Sequence, residues 1–263
     1  MTALPRFKAR ASALRHKSFV RAFSGIAPYF IVNEFPKCGG TWLSQMLAMA
    51  MNIPFRRNEP IRFEPAITHG HFRHPLGLKN VAVLWRDPRD MLVSFYFHCF
   101  FVNEVANKPL VKQMRARAAF GDFHDIRANL PSFIKLLSDR PVSPRFSWPE
   151  FSEVWVNRPG IVHTRYEDLR RDAPSELVRI VLELSGERLE PNRAAQIAAE
   201  FEFSKAKAKA IEKQEKSGGG ELSFIREGSV GGWRKYFTEE ANQILEIEGY
   251  REPMLRLGYP DLG

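Results

Sequence analysis

The stretch YFIVNEFPKCGGTWLSQMLAMAM, residues 29–51, constrains the fold more than any other part of the chain. An apolar run from Tyr29 to Phe35 reads as a buried strand, Pro36 ends it, and the Gly39–Gly40 pair leads into apolar residues at near-helical spacing from Trp42 to Met51. A strand that enters a helix through a glycine loop can turn backbone N–H groups toward one point. The helix N-terminus adds partial positive charge there, and Lys37 adds a full one. Such a loop is an anion cradle. The pattern that binds nucleoside triphosphates, GxxxxGK[ST], places Lys after the glycines and beside a hydroxyl that holds Mg²⁺; Lys37 precedes them, which points to a phosphate site with no metal.

The same order of elements recurs. Val81–Trp85 reads as a strand, followed by the turn Arg86-Asp87-Pro88-Arg89 and a helical run from about Asp90. A third strand, Gly160–Thr164, leads through Tyr166-Glu167-Asp168 to a helix over Pro174–Leu184, bounded by Gly186. Strands alternating with helices imply a parallel sheet covered on both faces, so the expected fold is α/β: a single-domain, phosphate-loop-type three-layer sandwich with a central parallel sheet. A chain of 263 residues is long enough for one such domain and short for two. No apolar run approaches the roughly 18 residues of a membrane span. The two cysteines, Cys38 and Cys99, cannot build a disulfide framework or a thiolate metal site, so a cytoplasmic protein is expected. The net charge of +9 favours an anionic partner.

Residues 1–28 form a basic N-terminal extension carrying Arg6, Lys8, Arg10, Arg15, Lys17 and Arg21 without an acidic residue. It reads as a solvated arm, with peripheral membrane contact or targeting as the alternative. Residues 29–263 form the catalytic domain. Within it, 104–155 is an insertion, basic and interrupted by Pro141, Pro144 and Pro149, that either shapes an acceptor site or packs as a bland layer. Residues 205–232 turn Lys-rich and then Gly-rich, as expected of a mobile flap over the ligand. Arg86 at a strand end and Ser94 two helical turns later offer a forked cation and a hydroxyl to a second phosphate. FIREGSVGGW, residues 224–233, adds Arg226 on a glycine strip. Two phosphate sites suggest a bisphosphorylated nucleotide.

Taken together, PKCGGTW, RDPRDMLVSFYFH and REGSVGGWRKYFT resemble, in the same order, the motifs PKSGTTW, RNPxDxxVSxYxF and RKGxxGDWxxxFT of the cytosolic-type sulfotransferases. These enzymes transfer a sulfuryl group from 3′-phosphoadenosine 5′-phosphosulfate (PAPS) to a hydroxyl and release PAP. The likeness runs from about Tyr29 to Phe237. It implies that Lys37 and the backbone of Cys38, Gly39, Gly40 and Thr41 hold the 5′-phosphosulfate, with Lys37 also neutralising charge on the leaving oxygen. It places Arg86, Ser94, Arg226 and the backbone at Gly228 on the 3′-phosphate, Trp42 and Phe203 on the two faces of the adenine, and Tyr166 at its edge. The family's KTHLP-like stretch matches Thr68-His69, which makes His69 the first candidate for general base and His71 the second; His74, before Pro75, is expected at the surface. Several positions depart from the family: Ile67 stands where it has Lys, with Arg73 as a substitute cation, Gly40 where it has Thr, and Glu227 where it has Lys. The dimerisation pattern KxxxTVxxxE survives only as RKYFTEEANQ, and the oligomeric state stays open.

The expected function is therefore metal-free O-sulfotransfer to an acceptor that the sequence leaves unidentified: a small alcohol or phenol, a lipid or a carbohydrate. The segments Ile53–Phe72 and Glu104–Trp155, with the rings Phe100, Phe101, Phe120 and Phe123 among cations, are the expected pocket. A basic nucleic-acid-binding protein and a phosphate-loop nucleotide kinase are the competing readings. Scattered basic residues argue against the first, and the missing Gly-Lys-Ser/Thr order against the second.

Overall fold

The structure is a computed structural model and describes residues 18–27, 29–56, 62–102, 105–202 and 228–262. Residues 1–17 of the basic extension, Phe203, Arg226, and residues 205–227 of the expected flap lie outside the described residues. In chain order run β1 (Tyr29–Glu34), α1 (Gly40–Ala50), β2 (Ala66–Gly70), β3 (Val81–Trp85), α2 (Pro88–Phe100), α3 (Lys108–Arg115), α4 (Ile126–Asp139) and α5 (Trp148–Trp155). They continue with β4 (Val162–Arg165), α6 (Tyr166–Arg171), α7 (Ala173–Ser185), α8 (Pro191–Glu200), α9 (Glu239–Ile247) and α10 (Arg251–Arg256). The chain forms two compact parts. One comprises the described residues up to Glu34 together with 39–85 and 158–198; the other comprises 35–38, 86–157 and the described residues from Ala199 onward.

The first part is built on a four-stranded sheet in the order β2-β1-β3-β4, with every neighbouring pair parallel, as the strand-helix alternation predicts. All five residues of β3 are buried, the continuous apolar run expected of an inner strand in a parallel sheet. Helix α1 packs on β1 and β2 and buries Leu43, Met46 and Leu47; α7 lies against β3, β4 and α1 and buries Leu177, Ile180, Val181 and Leu184. The limits of α7 follow from local chemistry. The Asp172 side chain accepts from the Ser175 N–H, Pro174 sits in the first turn, and Gly186 leaves the helix at φ 74°. Strand β2 is absent from the sequence reading, because five residues reading AITHG carry little strand pattern. Pairing with β1, from Tyr29 opposite Ala66 to Asn33 opposite Gly70, supplies it. The Asn33 side chain reinforces the end of that pair by donating to Phe72 O at 3.1 Å and accepting from Phe72 N at 2.7 Å.

In the second part α2 starts at Asp87, whose carboxylate accepts from Arg89 N, with Pro88 in the first turn. Its inner face joins a cluster of rings. Tyr96 lies 4.7 Å from Phe100 and 5.2 Å from Phe133, and Phe123 stacks on Phe100 at 5.1 Å. Of the four rings expected to line a pocket, Phe100 and Phe101 are fully buried and Phe120 and Phe123 half-buried. Pro149 does not interrupt structure as the composition suggests: it lies in the first turn of α5, behind a reciprocal cap between Ser147 and Glu150. Among the described residues no helix is long and apolar enough to cross a membrane.

Candidate active site

In a parallel sheet the functional residues gather where strands end at their carboxyl edge. In the first part Glu34 closes β1, His69 lies one residue from the end of β2, and Tyr166 follows β4. The register sets Val32 opposite His69, so the two-residue period puts Val32, Glu34 and His69 on one face, with His71 just past the end of β2. Glu34 is the centre of the group. Its Oε1 lies 3.0 Å from His69 Nε2, its Oε2 accepts from Gly40 N at 2.5 Å, and its backbone oxygen lies 2.8 Å from His71 Nδ1. The side chains of His69 and Glu34 are only 8% and 5% exposed. Burial alone would push the Glu34 carboxyl up, but the hydrogen bond from His69, the electrostatic attraction of the two imidazoles and the Gly40 amide hold it below the usual range. A carboxylate therefore stands between the histidine expected to act as base and the first turn of α1.

That arrangement accounts for Gly40. A Cβ there would fall 2.5 Å from His69 Nε2 and 2.6 Å from Glu34 Cδ, so the threonine of the family pattern has no room. Gly39, at φ 106°, is the N-cap of α1, and a Cβ on it would meet the Tyr166 ring at 3.0 Å. Tyr166 is buried and meets half-buried Trp42 edge-on at 5.8 Å, so the two aromatics assigned to the adenine are neighbours beside the glycine loop. Thr41, in the first turn of α1, is half-buried. Ile67, at the position of the family lysine, is fully buried in β2 and brings no cation; Arg73 is half-buried, and His74 is exposed as expected.

In the second part Lys37 adopts φ 77°, the left-handed conformation that a non-glycine residue seldom takes. Its carbonyl accepts from Arg86 Nη1 at 3.0 Å, and Arg86 Nη2 donates to Ser229 O at 3.3 Å. Arg86 thus ties the Lys37 backbone to the Gly-rich strip beside Gly228. Cys38 is buried, leaving its backbone as the group it can offer, and Ser94 is half-buried on α2. Two further residues organise the strip. Asp90 accepts from Gly231 N at 2.6 Å and Trp233 N at 2.8 Å, and burial raises its carboxyl above the usual range despite the charge of Arg86 and those amides. Arg89 bonds both oxygens of Asp87 and lies 4.0 Å above the Trp233 ring. In the sequence Asp90 stands within RDPRD without a role that its type announces, and nothing local marks Glu34. The signal for Asp90 was its place in the motif; Glu34 shows itself only through strand pairing.

The family model described as "Sulfotransferase domain" matches residues 64–256. Sulfotransferase 6B1 of Danio rerio is 24% identical over 250 residues, covering 82% of this chain and 75% of its own length. Sulfotransferase 1E1 of Bos taurus is 21% identical over 91% of this chain and 90% of its own. Among solved structures, mouse sulfotransferase SULT7A1 complexed with PAP superposes with a TM-score of 0.64 at 17% identity, covering 90% of this chain and 87% of that one. Retinol dehydratase, in complex with androsterone and the inactive cofactor PAP, gives a TM-score of 0.60 at 18% identity, with coverage of 86% and 81%.

Proposed function

The chain belongs to the sulfotransferase domain family, and we propose that it is a PAPS-dependent O-sulfotransferase acting on the hydroxyl of a small organic acceptor. PAPS supplies the sulfuryl group and leaves as PAP. The observation that carries this reading is the loop from Lys37 to Trp42, with a lysine and a glycine both at positive φ and a helix starting at Gly40. By the resemblance, Lys37 and the amides of residues 38–41 take the 5′ end of the nucleotide, Arg86, Ser94 and the Gly228 backbone the 3′-phosphate, and Trp42 and Tyr166 the base. Arg226 and Phe203 keep their proposed places on the 3′-phosphate and the adenine on the strength of the resemblance. Lys37 neutralises charge developing on the leaving oxygen, and His69 takes the proton of the attacking hydroxyl. The two thiols, Cys38 and Cys99, are free and buried, which suits a reducing compartment such as the cytoplasm.

The acceptor is proposed as an apolar alcohol or phenol, supported by the half-buried rings Phe120 and Phe123 and by the androsterone held by the retinol dehydratase neighbour. The test is transfer from radiolabelled PAPS across phenols, steroid-like alcohols, lipids and oligosaccharides. Label in a phenol or alcohol product is the expected result. Label confined to oligosaccharides would overturn the acceptor class, and no transfer by a protein that binds PAP would overturn the reaction.

A further inference from the structure

Resting on the reading of His69 as the base, we propose that Glu34 is its positioning residue, holding the proton of the imidazole on Nε2 so that Nδ1 receives the proton of the acceptor hydroxyl. The geometry leaves little freedom. Nε2 lies 3.0 Å from Oε1, and a carboxylate that stays ionised in so buried a place can only accept, so Nε2 must donate. The carboxylate is itself fixed, because its other oxygen is held by the Gly40 amide at the start of α1. His69 Nδ1 bonds to no described residue. His71 is anchored by Nδ1 on the Glu34 carbonyl and packs edge-on against the His69 ring at 5.1 Å. Gly40 clears the space for the pair, since any Cβ would strike both members.

The step balances without further reagents. As the acceptor oxygen forms its bond to sulfur, its proton passes to Nδ1. The bond between sulfur and the bridging phosphate oxygen breaks, and its electron pair leaves on PAP. The imidazolium so formed carries its new charge 3.0 Å from the Glu34 carboxylate, which stabilises it. The ligating atoms of Glu34, His69 and His71 also lie within 4.8 Å of one another, close enough to share a metal ion. Hydrogen bonding is the reading that the contacts favour, because a ring nitrogen of each histidine already rests on a Glu34 oxygen.

The experiment is ¹⁵N NMR of the histidines in the full chain, with His69 assigned by difference from His69→Ala, together with kinetics of Glu34→Gln. The expected results are a neutral His69 protonated at Nε2 in the wild type, loss of that preference in Glu34→Gln, and a fall in kcat of about 10²-fold with acceptor KM and PAP affinity within about twofold. A wild-type tautomer protonated at Nδ1 overturns the proposal, and this measurement needs no variant of Glu34 to fold. An unchanged kcat in Glu34→Gln overturns it too. One equivalent of Zn²⁺ bound through Glu34, with activity lost on chelation, would make the group a metal centre and equally overturn it. A wild type with the expected tautomer that transfers to no acceptor overturns the reaction and the base role, and leaves the pairing standing.

Discussion

Glycine 40 is where local backbone and chemistry meet. Replacing it with alanine puts a methyl group 2.5 Å from His69 Nε2 and 2.6 Å from Glu34 Cδ, and overpacking of this kind costs about 1–3 kcal/mol. Gly40→Ala should therefore lower the unfolding free energy by that amount, measured in urea, and displace His69 enough to impair turnover. Glu34 has a pH signature of known sign. Its folded-state pKa is lowered, so its ionised form contributes stability that is present above the ordinary glutamate value of about 4.3 and is lost as pH falls through the folded value. Urea denaturation of wild type and Glu34→Gln should show the wild type more stable above about pH 5, with the gap closing as the pH falls below that range. A gap independent of pH would mean that the carboxylate's charge contributes nothing.

Helix α2 serves as a bracket, holding through Asp90 and Arg89 the strip from Gly231 to Trp233. Asp90→Ala would leave two part-buried amides without an acceptor, and each such group costs about 1–3 kcal/mol. The expected outcome is a less stable protein that binds PAP more weakly by calorimetry, whereas Asp90→Asn, which keeps an acceptor oxygen, should lose less of both. The elements that the sequence announces clearly are those whose own residues specify them: the apolar run of β1, the buried β3, and the capped, glycine-ended α7. The loop at Lys37–Trp42 was legible for the same reason, since glycines and a lysine between strand and helix are local signals. Strand β2 and the Glu34–His69 contact were not legible. They arise from pairing between segments 35 residues apart, and no pattern within either segment encodes that register. The left-handed Lys37 was hidden too, because its residue type argues against its conformation.

At the scale of the whole molecule, a ligand with phosphates at both 3′ and 5′ positions should raise the melting temperature where ADP, ATP and NAD do not, because in the proposed site only the first would engage both the Lys37 loop and the Arg86–Ser94 pair. Equal shifts from PAP and ADP in a thermal melt would remove Arg86 and Ser94 from the proposed site. The path of the chain has a separate consequence. It changes from one compact part to the other after residues 34, 38, 85, 157 and 198, so neither part is a continuous stretch of sequence. No single cut can release either part intact. A fragment ending at Asn157 lacks β4 and α7, and the remaining fragment lacks the other three strands. Expressed apart, the two pieces should be insoluble or unfolded by circular dichroism. Expressed together, they should reconstitute a split protein, with the exposed turn around Arg158 and Pro159 as the seam.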